Sequence, residues 1–118
     1  MVRTAQALFW MASKEFRDEV MNIIETFAQI YCVTIHASAC LHNHYHLAIT
    51  VHRSEMDLED IKTRFQLLQD QLVHKRTWRK YERKYYQKRF TNLSMFMWEI
   101  NRRIAVAYNR RHRSTGHF

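Results

Sequence analysis

The chain has 118 residues, 47% of them hydrophobic, with no proline, one glycine and a formal net charge of +8. That is the length of one domain with enough apolar side chains for a core, which excludes a disordered tail and a multidomain array. No run of 18 apolar residues and no secretory leader is visible, so the expectation is a cytoplasmic protein with no membrane partner.

The charge is unevenly spread. Residues 1–74 carry six Lys/Arg against nine Asp/Glu, whereas residues 75–118 carry thirteen against two. The second half is where a polyanion would bind. Two cysteines, Cys32 and Cys40, are too few for a disulfide framework. They share even numbering with His36, His42, His44 and His46, as zinc ligands on one strand face would. Eight strand residues, however, span roughly 26 Å, and no C-x-x-C is present.

In chain order, the first dozen residues are apolar without a period and read as an irregular lead-in or the remnant of a strand. Ser13 is a candidate N-cap for a helix in which Phe16, Val20, Ile23, Ile24, Phe27 and Tyr31 recur at helical spacing. Val33 to Cys40 alternates as a strand should, with Val33, Ile35, Ala37 and Ala39 on the core side. Leu41-His42-Asn43 is a short turn, and His44 to Val51 returns as the second strand of a hairpin.

Residues two apart on a strand point the same way, so His44 and His46 project side by side while Tyr45, Leu47, Ile49 and Val51 face the core. Thr34, His36, Ser38, Ala48 and Thr50 would share the histidine face, and their small side chains leave room for a ligand. Neutral imidazole binds transition metals. Spacing alone leaves a metal site and an inert His-x-His both open.

After Ser54 a second amphipathic helix carries Leu58, Ile61, Phe65, Leu68 and Leu72 inward, with Glu55, Asp57, Glu59 and Asp60 at its N-terminal end, where the helix dipole favours them. From Lys75 to Phe90 eight cations interleave with Trp78, Tyr81, Tyr85, Tyr86 and Phe90. Cations hold phosphates and aromatic rings stack on unpaired bases; the same aromatics at spacings of three and four would equally serve as the inner stripe of a helix. Asn92 caps a further helix with Leu93, Phe96, Met97, Ile100, Ile104 and Tyr108 on one side and Arg102, Arg103, Arg110 and Arg111 around the rest. Its end is marked by Ser114-Thr115-Gly116. No repeat or linker divides the chain, so residues 1–118 form one domain.

Two stretches together resemble a family. Cys40-Leu41-His42-Asn43-His44-Tyr45-His46-Leu47 is similar to the "MPNHxHLL" signature of the HUH-type tyrosine transposases, the insertion-sequence and REP-associated group. Leu93 to Arg103, followed by Tyr108 to Phe118, resembles that family's "LSxFMxxxNxR…NRRHxRxGxxW" block. The resemblance covers roughly residues 13–118. It implies an α+β fold, an antiparallel sheet with helices packed on one face as in the ferredoxin-like HUH endonuclease core, incomplete at both ends. It also implies a DNA transposase or endonuclease acting on single-stranded or hairpin DNA in the bacterial cytoplasm, near the nucleoid, often as a homodimer.

In that family His44 and His46 would hold a divalent metal, magnesium or manganese, that polarises the scissile phosphate for attack by a tyrosine. Charge asymmetry and resemblance together nominate Arg76, Arg79, Lys80, Arg102, Arg103, Asn109, Arg110, Arg111 and Arg113 as DNA contacts. The family's nucleophile lies on a helix after the second block, beyond these residues, and its opening strand is weak or absent here. No catalytic tyrosine is assigned: Tyr45 points to the core, Tyr108 lies on an apolar stripe, Tyr31 ends a helix, and Tyr81, Tyr85 and Tyr86 sit in the basic tract. His112 and His117 receive no role, and His36, His52 and His74 are expected at the surface or on the sheet face. The alternative is a module that binds single-stranded nucleic acid without catalysis.

Overall fold

Helix α1, Lys14–Ile30, starts at Ser13, whose Oγ accepts the Phe16 N–H at 3.1 Å, the side-chain cap expected of serine there. It buries Phe16, Val20, Ile24, Phe27 and Ile30 on one face. The computed structural model describes residues 2–4, 13–42 and 44–112. Asn43, most of the lead-in and everything from Arg113 onward, including the Ser114-Thr115-Gly116 stop and His117, therefore lie outside the described residues.

Tyr31 and Cys32 form a two-residue connection to strand β2, Val33–Cys40, which β3, Tyr45–Val51, follows as an antiparallel hairpin. The lead-in contributes β1, Val2–Thr4, a short strand where an irregular segment or strand remnant was expected, paired antiparallel to β3 with Val2 opposite Ala48. The sheet order is β1-β3-β2, so β3 is central. Three residues are too few to carry a readable period, and their pairing is set by the long-range contact with β3.

Asp57 caps α2, Leu58–Gln69, by accepting the Asp60 N–H at 2.9 Å. Ile61, Phe65 and Leu68 are buried as expected. Leu58 is instead exposed, and Leu72 lies beyond the helix end. Arg64 donates from Nη1 to the carbonyls of Gln29, Ile30 and Tyr31 at 3.2, 3.0 and 2.9 Å. It thereby satisfies carbonyls that the end of α1 leaves without helical partners, and ties α2 to α1.

The basic and aromatic tract folds as a 3-10 turn, Lys80–Glu82, continuing into α3, Arg83–Phe90. Its rings divide. Tyr86 and Phe90 are buried and Trp78 packs against the core, with Phe65 5.2 Å from Trp78 and 5.0 Å from Tyr86 between ring centres, whereas Tyr81 and Tyr85 are exposed. Helix α4, Leu93–His112, is capped by Asn92, whose Oδ1 accepts the Met95 N–H at 2.9 Å.

One core joins these elements. It includes Tyr45, Leu47 and Ile49 from β3 and Phe96, Met97, Ile100, Ile104 and Ala107 from α4. The result is the expected α+β arrangement, with α4 meeting the core face of β3 through Tyr45. No helix among the described residues is long and apolar enough to cross a membrane.

Candidate functional site

The two histidines belong to the hairpin. His46 lies in β3, and His44 sits one residue before it, where the Leu41 N–H donates to the His44 carbonyl at 2.8 Å and extends the pairing beyond Cys40 and Tyr45. Their rings stand 4.7 Å apart, edge to face at 83°, and both residues are half-buried. Tyr45 and Leu47, their neighbours in sequence, are buried on the opposite side of the strand.

The surroundings of the pair differ from the simple alternation. A β-bulge lies between Ile35 and Ala37: Ile35 pairs with Ile49, Ala37 with Ala48, Ser38 with Leu47, and Ala39 with His46. Paired residues share a face, and one extra residue reverses the facing of everything after it. Ala37 and Ala39, expected in the core, therefore sit on the histidine face. Ser38, expected on that face, sits on the other. Ala39 and Ala48 leave the surface beside His46 low.

Farther along the same face, His36 Nε2 is 2.6 Å from Thr50 Oγ1, and Thr34 Oγ1 is 2.6 Å from His52 Nε2. His36 is thus tied to Thr50, toward the far end of the hairpin. Around His44 the chain forms a shallow depression lined by Arg17, Cys40, Leu41, His42 and His44. Arg17 was not evident as a site residue from its place in the sequence. The signal for it is the two-residue connection after α1, which runs β2 back along the helix and brings the first turn of α1 to the end of β2. Burial pushes the Cys40 thiol up, as it does the Cys32 thiol, whose Sγ lies 3.3 Å from Met56 Sδ. Both are thereby held away from the thiolate form that binds metal.

The donor set at His44 and His46 is two imidazoles. Among the described residues no group of three or more His, Cys, Asp or Glu could hold a metal ion. Two close imidazoles on a rigid strand would by themselves hold a hard ion such as manganese only weakly, with water and a substrate oxygen completing its shell. They fit magnesium less well, since it prefers oxygen donors.

Most of the nominated cations have partners inside the molecule. Arg76 bonds to Glu82 and to the Tyr86 hydroxyl, the latter at 3.1 Å. Arg79 donates to the Tyr81 hydroxyl at 3.0 Å. Arg103 is 3.2 Å from the buried Glu99 and lies over the Phe27 ring. Arg110 and Arg111 approach Glu19 at 3.9 and 2.9 Å, and Arg111 also covers Phe16. Arg102 sits over the half-exposed Trp98 ring, while Lys80 and Asn109 are exposed. These residues are not gathered round the histidines: Arg76, Arg79 and Lys80 belong to the α3 end, where the Cys32 N–H donates to the Phe90 carbonyl at 2.8 Å beside the Val33–Val51 pair. Arg110 and Arg111 lie against the first turns of α1, whose Arg17 borders His44.

Among protein-family models, curated proteins and solved structures, none matches this chain. The reading of the site therefore rests on its own residues. Its tyrosines are mostly committed elsewhere. Tyr45 donates to Asn101 Oδ1 at 2.5 Å on the helix side, and Tyr108 packs edge-on against Phe16. Tyr31 accepts from Arg89 Nε at 3.0 Å, and burial pushes its hydroxyl up to about 12, which disfavours the phenolate a nucleophile needs. Tyr81 and Tyr85 are exposed, but at the α3 end of the sheet.

Proposed function

We propose that this domain binds single-stranded DNA and holds a divalent ion against one of its phosphates through His44 and His46, in the manner of the transposases its two blocks resemble. The observation that carries this reading is the imidazole pair, 4.7 Å apart on a strand face kept low by alanines. A bound ion supplies positive charge beside a phosphoryl oxygen, where negative charge grows during displacement. The chain's own part is to fix both rings from the central strand and to leave the adjacent surface open to a strand of DNA. Arg17, at the edge of the same depression, lies where it can meet a neighbouring phosphate. No nucleophilic tyrosine is assigned within the described residues, so binding is proposed for these residues and strand transfer is not.

The test is manganese titration by calorimetry, with and without a short oligonucleotide. Wild type should bind manganese weakly alone and more tightly with DNA, and H44A/H46A should lose at least tenfold in affinity. Unchanged manganese affinity in that double variant would remove the proposal.

A second reading is favoured by a specific observation: Tyr81 and Tyr85 are exposed among Arg79, Lys80, Arg83, Lys84 and Lys88, at the other end of the sheet. That combination suits a metal-independent single-strand module. Oligonucleotide binding that is insensitive to EDTA and to H44A/H46A, but lost in Y81A/Y85A, would select it.

A further inference from the structure

A second cluster of charge lies where α2, α3 and α4 meet, on the helix side of the sheet. Arg76, Arg89, Arg102 and Arg103 line one small cleft of about 210 Å³, with Trp98 and Glu99 in its wall. These cations come from three separate parts of the sequence: the segment after α2, α3, and two adjacent positions of α4. Four guanidiniums around so small a space repel one another unless anions compensate them.

The chain supplies two carboxylates. Glu99 is buried, and both its oxygens are taken, Oε1 by Arg89 at 2.8 Å and Oε2 by Arg103 at 3.2 Å, so it holds those two guanidiniums in place. Glu82 bonds to Arg76. Two positive charges remain in excess. Arg102 has the Trp98 ring beneath its guanidinium at 5.7 Å, and two buried atoms are without a hydrogen-bond partner, Arg103 Nη2 and Glu82 Oε1. A buried donor with no acceptor is costly and commonly marks the place of a water or an anion.

We propose that this cleft binds a phosphate monoester carried by a nucleoside, either a free 5′-mononucleotide or the 5′-phosphorylated end of a DNA strand. A monoester is close to a dianion near neutral pH, which matches the excess of two, whereas an internal phosphodiester carries one charge. Guanidinium forks suit its oxygens, and the half-exposed Trp98 beside Arg102 offers a ring for the base to stack on. The site is independent of His44 and His46, which lie on the opposite face of the sheet.

The test uses the whole chain in EDTA at low salt, with three probes: thymidine 5′-monophosphate, a 5′-phosphorylated oligothymidine, and the same oligomer with a 5′-hydroxyl. The phosphorylated oligomer should bind at least tenfold tighter than the hydroxyl form, and Arg102→Gln should erase most of that difference while thermal unfolding stays unchanged. Trp98→Ala should weaken the mononucleotide more than inorganic phosphate. Mononucleotide binding without discrimination between the oligomers assigns the site to free nucleotide; discrimination without mononucleotide binding assigns it to DNA ends. Failure of both, or a difference that survives Arg102→Gln, overturns the proposal. The same measurements on H44A/H46A should be unaltered, so loss of the metal reading would leave this one standing.

Discussion

The two faces of the sheet handle polar groups in opposite ways. On the histidine face, His44 and His46 stand half-buried beside alanines, and farther along His36 and His52 make short side-chain ties to Thr50 and Thr34. On the helix side, charge is buried and locked: Glu99 is held by Arg89 and Arg103, and Arg89 also reaches Tyr31. Both regions hold residues that bind phosphate, and on the helix side part of that charge is neutralised within the molecule by Glu82 and Glu99. Charge available to a partner is therefore a different quantity from charge counted along the chain.

The sharpest way to break this contrast is to remove Glu99. Glu99→Ala strands two guanidiniums in the helix side and should cost about 3 to 5 kcal/mol in urea unfolding. A loss under about 1 kcal/mol would mean the cluster is solvated like a surface ion pair. Adjacent positions on β3 give the next test. Leu47→Ala should cost about 2 to 5 kcal/mol, because Leu47 is fully buried. Ala48→Phe, one residue along, should change stability by only about 0.5 kcal/mol while blocking manganese and DNA at the histidine pair; equal costs at the two positions would show that the faces are not distinct.

A further effect is confined to high pH. Burial raises the Tyr31 hydroxyl from its ordinary value of 10 to about 12, so the unfolded chain releases this proton first. Its contribution is complete below pH 10 and is lost as pH rises toward 12, amounting to roughly 2 to 3 kcal/mol. Tyr31→Phe should flatten the stability profile in that window, measured by denaturant midpoints. A slope identical to wild type would place the titration on other groups.

Much of the fold is legible in the amino-acid sequence. Ser13 and Asn92 cap helices as their chemistry requires, and β2 runs from Val33 to Cys40 as its alternation indicates. The facing of the second half of β2 could not be read, because Ala37, Ser38 and Ala39 are all small and give no apolar contrast by which a shift of one residue would register. The roles of Arg103, Arg110 and Arg111 were hidden for another reason. Helical spacing shows that a cation is off the apolar stripe, but not that Glu19, 92 residues from Arg111, will lie beside it. Within the histidine site, the pair itself was legible and Arg17 was not, since only the turn at Tyr31 and Cys32 brings it there.

The bulge at His36 has a consequence for how the chain tolerates insertion and deletion. Loss of that single codon would remove the bulge and leave Ala37 opposite Ala48 and Ala39 opposite His46, each on the face it already occupies, whereas loss of any residue elsewhere in β2 would shift the register. The strand is thus two half-strands with opposite parity joined at one residue. A sequence comparison that runs through His36 without a gap would pair the right letters with the wrong face.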